Sequence, residues 1–339
     1  MSKSSKQRAT LNDVARLAGV DVSTASRVLR GDTAQRVGKE TKDRIHKSAK
    51  ELEYLPNSVA RALRTSKTYT LGIVVPQLDN PVFSAVIRGA ERAAVAKGYS
   101  LLISHREPGE TATTIANLSK RSRVDGLLVA SLDEDEVLRT DLEAANVPYV
   151  LLNRQLPGAY YAVVLKSREA AKRATDYLIS LGHRRIAHLS GRLGGFNANE
   201  RLKGYCDALR EAGIDYDSSL VEEAGYTFEG GKSAMLDLLG GDATAVMAAT
   251  MVSAAGAMVA LHEAGRQIPE DMSIIALHDG AIAEMLYPAL STVGMPTEEM
   301  GSVAAAILIQ LLAGEQPEAV AALPAGPLIV RASTGPMTI

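Results

Sequence analysis

Tryptophan is missing from this 339-residue chain, and aromatic residues make up only 4% of it. Pockets for neutral sugars commonly use aromatic faces, so there is little material here for that kind of floor. A single cysteine, Cys206, excludes an internal disulfide, and nothing points to an oxidising compartment. No run of 18 or more apolar residues exists, and the opening MSKSSKQRAT has no apolar core of a signal peptide. A cytoplasmic protein without a membrane anchor is therefore expected. The six histidines are scattered without a metal-ligand spacing, so neither a metal nor any other cofactor is expected. FEGGKS at 228–233 resembles a phosphate-binding loop, but the glycine five residues earlier is displaced by one position. GRLGG at 191–195 is not a dinucleotide fingerprint, and no nucleophile–base pairing emerges, so the chain does not read as an enzyme.

Charge is balanced overall but not along the chain. Residues 1–67 carry 15 Lys+Arg against 7 Asp+Glu, a net of +8. The remaining 272 residues carry 22 against 32, a net of −10. A basic head on an acidic body is the electrostatic footprint of a nucleic-acid module joined to something else.

Within that head, LNDVARLAGVDVSTASRVL (11–29) holds two short apolar-periodic runs broken at Gly19. Leu11, Val14, Ala15 and Ala18 share one helix face, with Thr10 as N-cap and Asp13 completing a capping-box-like pair. A second helix from about Ser23 would bury Ala25, Val28 and Leu29, leaving Val22, Ser23, Ser26 and Arg27 outward. Arginine pairs bidentately with guanine, hydroxyls bond phosphates or base edges, and valine meets a thymine methyl. The pattern is that of a helix-turn-helix whose second helix reads the major groove. Thr10, Val22, Ser23, Thr24, Ser26, Arg27 and Arg30 are the candidate DNA contacts. An ordinary helical hairpin with a polar face is the alternative.

Further on, Pro56 should end a helix and Asn57 or Ser58 start another, VARALR, too short to be stable alone. A leucine tip between Arg61 and Arg64 fits a minor-groove wedge. An interdomain linker fits the composition equally well. From 70 to about 290 short apolar runs (LGIVV, SLLIS, GLLVA, YVLLN, RIAHLS, AVMAA, SIIAL) alternate with helical patterns, including 81–97, 168–181 and 199–212. That alternation predicts an α/β core of doubly wound parallel sheets. Its length favours two lobes with a ligand cleft outside the strand C-termini.

TLNDVARLAGVDVSTASRVLRGD, YLPNSVARALRT and TLGIVVPQLDNPVFSAVIRGAE, with LGHRRIAHLSG, ERLKGYCDALREAGI and PALSTVGMPTEEMG, resemble the lactose-repressor (LacI/GalR) family of bacterial regulators. The resemblance spans nearly the whole chain. It implies an all-α helix-turn-helix domain (1–55), a hinge helix and linker (56–68), and a periplasmic-binding-protein-like core (69–339). The lobes are expected near 69–162 plus 294–324, and 163–293 plus 325–339. It also implies a homodimer on a near-palindromic double-stranded operator, with Leu63 as the wedge and Asn57 and Ala60 beside it. Helices 81–97 and 297–313 could supply the dimer interface, and the absence of a terminal leucine heptad leaves no route to a helix-mediated tetramer. The implied function is that of a repressor switched by a small-molecule effector; a binding protein without transcriptional action is the alternative.

Strand ends nominate Asp79, Asn80, Phe83, His105, Ser131, Asn153-Arg154, Phe196 and Arg201 for the effector cleft, and the family resemblance adds Lys166, Thr250 and His278. Arg201, three before Gly204, matches a family arginine that contacts effector. Where many sugar-responsive members carry Asp-Asn, Asn-Asp and Asp, this chain has Lys166-Ser167, Thr250-Met251 and His278. A cleft so rich in cations, Arg192 included, and poor in acids should take an anion such as a sugar acid or sugar phosphate. LHDG (277–280) and SGRLGG also resemble the gluconate-responsive branch.

Overall fold

The computed structural model describes residues 9–29, 37–54, 67–106, 115, 117–118, 123–130 and 135–337. Residues 1–68 and 69–339 form two compact units.

In the first unit α1 spans Leu11–Ala18, α2 Val22–Leu29 and α3 Lys39–Glu51. Thr10 caps α1 in a full capping box: Asp13 reaches back to the Thr10 backbone N–H at 2.9 Å. Gly19 adopts φ 65°, which a side-chain-bearing residue enters only at a cost, and turns the chain toward α2. Val14, Ala15, Ala18, Ala25 and Val28 are buried against Ile45 of α3, while Leu11 and Leu29 are only partly covered. This small core fixes the angle between α1 and α2.

The second unit contains two six-stranded sheets. The first runs β11-β5-β4-β3-β1-β2, the second β12-β10-β9-β8-β6-β7. Strand β1 is Thr70–Val75, β2 Ser100–His105, β3 Gly126–Val129, β4 Tyr149–Leu152, β5 Ala162–Leu165 and β6 Ile186–Ser190. They are followed by β7 Val221–Glu223, β8 Ala245–Ala248, β9 Ser273–Leu277, β10 Ser291–Val293, β11 Val320–Leu323 and β12 Leu328–Ile329. All pairs are parallel except β10 with β12. Most central strands are buried along their length, as expected for sheets covered on both faces.

Helices α4 (Pro81–Ala96), α5 (Asp135–Ala145) and α11 (Thr297–Leu312) belong with the first sheet. Helices α6 (Ser167–Ser180), α7 (Phe196–Glu211), α8 (Phe228–Leu238), α9 (Met251–Glu263) and the short α10 (Ala281–Met285) belong with the second. The chain passes between lobes after β5, after β10 and between β11 and β12. The first passage therefore follows Leu165, so the expected boundary at 162/163 falls inside β5 and is corrected. Pro157-Gly158 marks the turn ahead of it, but the strand itself is only four residues long. Glycine sets the helix spacing in the first lobe: a Cβ on Gly89 of α4 would lie 1.8 Å from the Glu298 carbonyl oxygen, and one on Gly301 of α11 2.0 Å from that of Val86. Helices α4 and α11 thus pack on each other at backbone contact.

Candidate effector site and DNA-reading helix

The C-terminal ends of both sheets open on one cleft. From the first lobe Pro76, Asn80, Val82, Phe83 and Asn153 line it; from the second, Asn197, Arg201, Tyr226, Thr250 and His278 do. No aspartate or glutamate lines it among the described residues.

Arg201 is the centre of this site. It lies on α7, 3% exposed, with its guanidinium carbon 5.5 Å from the centre of the Tyr226 ring. Tyr226 reaches that position because residue 191 is glycine: a Cβ there would lie 2.1 Å from the phenol oxygen. Arg201 Nη2 and His278 Nε2 are 3.1 Å apart. Burial, then the Arg201 charge, pushes the His278 pKa down to about 3, so its ring is neutral. A guanidinium can only donate, so Nε2 accepts and the proton sits on Nδ1. His278 Nδ1 and the Nε and Nη1 of Arg201 make no hydrogen bond within the described chain. The cleft therefore contains one buried cation without a carboxylate, and beside it a neutral imidazole with an N–H to give.

A polar link crosses the cleft between lobes. Asn197 Nδ2 on α7 donates to the backbone carbonyl of Asn153 at 2.5 Å. Asn153, at φ 53°, in turn accepts the Leu165 N–H on its side-chain oxygen, which fixes the end of β4 against β5.

Of the residues nominated from sequence, Asn80, Phe83, Asn153, Arg201, Thr250 and His278 meet in this cleft. Asn80 and Thr250 do so as helix caps, accepting from Val82 N at 3.1 Å and Ser253 N at 3.2 Å. The other described nominations do not line it. Asp79 is exposed. His105 is exposed, with its ring bonded to the Pro76 carbonyl at 3.1 Å. Arg154 turns away to pair with Asp135 at the start of α5, as the neighbouring Arg106 pairs with Asp141. Lys166 is exposed at the passage between lobes, because β5 runs to the residue before it. Phe196 packs on the first-lobe core and lines a separate surface cavity with Asp135 and Asn199. Ser131 lies outside the described residues. Among the described residues the cation-rich cleft is thus corrected to a single-cation cleft, since carboxylates on α5 take up the nearest arginines.

Two polar lining residues escaped the sequence reading. Asn197 is one turn before Arg201, a spacing that could have found it. Tyr226 follows β7, whose sequence VEE carries no strand signal.

In the basic unit, Val22 and Ser23 of α2 are exposed, with Thr24, Ser26 and Arg27 partly so. Arg27 Nε donates to the Ser23 carbonyl at 3.2 Å, one turn back. Thr10 accepts the Asp13 N–H at 3.4 Å as the α1 cap. Arg30, Asn57, Ala60 and Leu63 lie outside the described residues.

Buried neutral histidines make stability depend on pH. Burial lowers His183 and holds His188 at about 4, alongside His278 at about 3. In each case the folded pKa lies below the unfolded value near 6.5, so the unfolded chain binds more protons between them. The stabilisation is complete above pH 6.5 and is lost as pH falls through the folded values. The melting temperature should drop steadily from pH 6.5 to 4.5, and the H188L variant should show a shallower slope over that window.

Comparison with known proteins agrees with both halves of this description. Residues 10–57 match the family "Bacterial regulatory proteins, lacI family", and residues 175–334 match the "Periplasmic binding protein-like domain". The chain is 34% identical over 338 residues to the HTH-type transcriptional regulator CelR of Thermobifida fusca, covering 97% of this chain and 99% of that one. It is 34% identical over 307 residues to the ribose operon repressor of Escherichia coli K12, covering 89% and 92%. The solved lac repressor dimer bound to operator and the anti-inducer ONPF superposes with a TM-score of 0.83 at 27% identity, covering 97% of this chain and all of that one.

Proposed function

The chain belongs to the lacI family of bacterial regulatory proteins, and from that premise we propose that it is an operator-binding repressor, working as a homodimer and switched by a small anionic carbohydrate held between the lobes of its core. The observation that carries the effector class is the buried Arg201 with no carboxylate among the described residues that line the cleft. An unpaired guanidinium is costly to bury, and a ligand carboxylate or phosphate offsets that cost with charge-assisted bonds. Arg201 Nη1 and His278 Nδ1–H are the two donors for it. One cation suits one negative group, so a sugar acid fits better than a multiply charged phosphate. The relatives' names speak of a ribose operon and, in CelR, of another regulator of this kind; a cleft with no acid among its described lining residues is what makes this chain a candidate for an acidic sugar.

Switching follows from linkage. A ligand alters operator affinity only if it binds one arrangement of the lobes better than another. The Asn197–Asn153 bond crosses the same cleft and belongs to one such arrangement.

The test is a thermal-shift screen of the full chain against matched glucose, gluconate and glucose 6-phosphate. At about 100 times its Kd a ligand adds roughly 2.7 kcal/mol, a readable shift. Stabilisation by gluconate alone supports the reading; equal stabilisation by glucose overturns it. For the DNA-reading helix, Arg27→Ala should cost about 1–3 kcal/mol on a cognate operator and relax one base-pair preference. Equal loss on every sequence in a binding assay would reduce Arg27 to a phosphate contact.

A further inference from the structure

Besides those of Arg201 and His278, the second lobe contains two more buried polar atoms that make no hydrogen bond among the described residues, His188 Nε2 and Ser190 Oγ. Both residues are fully buried on β6. Alternation along a strand puts Ile186, His188 and Ser190 on one face. That face meets α7: the Tyr205 hydroxyl donates to the Ile186 carbonyl at 2.7 Å, and the Tyr205 ring stacks on His188 with centroids 5.5 Å apart.

Arg201 is one helical turn before Tyr205, on the same side of α7. The helix returns against the direction of the strand that precedes it, so one turn toward the start of α7 corresponds to one step toward the end of β6. Ser190 is therefore the strand residue level with Arg201, as His188 is level with Tyr205. The Arg201 charge also contributes to holding His188 neutral.

The valences of these groups are complementary. His188 Nδ1 lies 3.0 Å from the Met247 carbonyl, which can only accept. The proton is thus on Nδ1, and Nε2 presents a lone pair. Arg201 Nε is a donor only, and a serine hydroxyl gives and takes. One acceptor, one donor and one group of both kinds are the partners a buried water takes, with about three bonds each.

We infer that His188 and Ser190 are positioning residues, which hold one buried water against Arg201 Nε and so direct its guanidinium into the cleft. The inference rests on the reading of Arg201 as the effector anchor. Its consequence is that the cation is supported by uncharged groups only: the His278 ring in front and the water seat behind. Among the described residues no acid pairs with Arg201 to draw its charge away from the ligand. A guanidinium fixed in this way loses little side-chain freedom when ligand arrives.

The experiment uses the full-length, ¹⁵N-labelled chain without ligand. The Nε–H resonance of Arg201 is identified by its loss in R201K. In the wild type it should exchange slowly with solvent and show a cross-peak to a long-lived water. In S190A and in H188L it should shift and exchange at least tenfold faster, and H188Q, which keeps a polar atom near the ε position, should restore part of the protection. An unchanged resonance in both S190A and H188L overturns the inference. So does a wild-type His188 ring found protonated on Nε2, a measurement that needs no variant to fold. A gluconate titration then separates the two claims. If S190A binds gluconate about tenfold more weakly, seat and anchor act together. If gluconate fails to bind the wild type while the resonance behaves as described, the seat stands and the effector class falls.

Discussion

Replacing Arg201 with methionine is expected to raise the melting temperature of the ligand-free chain and, in the same protein, to abolish stabilisation by a sugar acid. The two effects have one cause. Arg201 is 3% exposed, and its burial lowers its pKa, the mark of a charge held away from water. Desolvating an ion with no counter-charge costs several kcal/mol, even after relaxation. Methionine keeps much of the volume and removes that cost, while leaving His278 Nε2 without its donor returns about 1–3 kcal/mol. The first term is the larger, so the variant should be more stable. Ligand binding should fall by about 2–5 kcal/mol, the usual result of truncating one member of a buried charged pair. Melting curves with and without gluconate read both. A variant that melts lower and still responds to gluconate would place the anchor elsewhere.

The second large effect concerns the first lobe, where Gly301→Ala should destabilise the core by about 3 kcal/mol or more. Its new Cβ would lie 2.0 Å from the Val86 carbonyl oxygen, and backbone cannot rotate out of the way as a side chain can. For a domain of this size the melting temperature should drop by roughly 6–12 °C. Gly89→Ala should behave alike, since its Cβ meets the Glu298 carbonyl at 1.8 Å. Their combination should cost less than the sum, because the first substitution already moves α4 from α11. A drop of only one or two degrees for G301A would mean that the two helices can separate cheaply.

Much of the architecture could be read from local pattern. The helix pair of the basic unit followed from spacings of three and four around Gly19, and the central strands from unbroken Val/Ile/Leu runs. What escaped was short or polar: β5 and β11, with four residues each, β10, with three, β12, with two, and β7, an edge strand whose Glu222 and Glu223 suit an exposed border better than a core. The cleft was harder, for a different reason. Arg201 and His278 could be placed from strand and helix ends alone. Whether Arg154 faced a ligand depended on Asp135, a residue 19 positions away on α5. Neither periodicity nor propensity encodes such a pairing; it exists only once the layers have packed.

The order in which the chain visits its lobes has a consequence for its synthesis. The basic unit is complete within the first 68 residues, and its small core draws on nothing later. Each core lobe, in contrast, takes its last strand from residues 320–329, after β10 and α11 have been made. Domains tend to fold as they leave the ribosome, the amino-terminal one first, at about 5–20 residues per second. A growing chain should thus carry a finished DNA-reading head for tens of seconds before either lobe can close its sheet. During that interval the polypeptide can grip a duplex but cannot yet sense a metabolite.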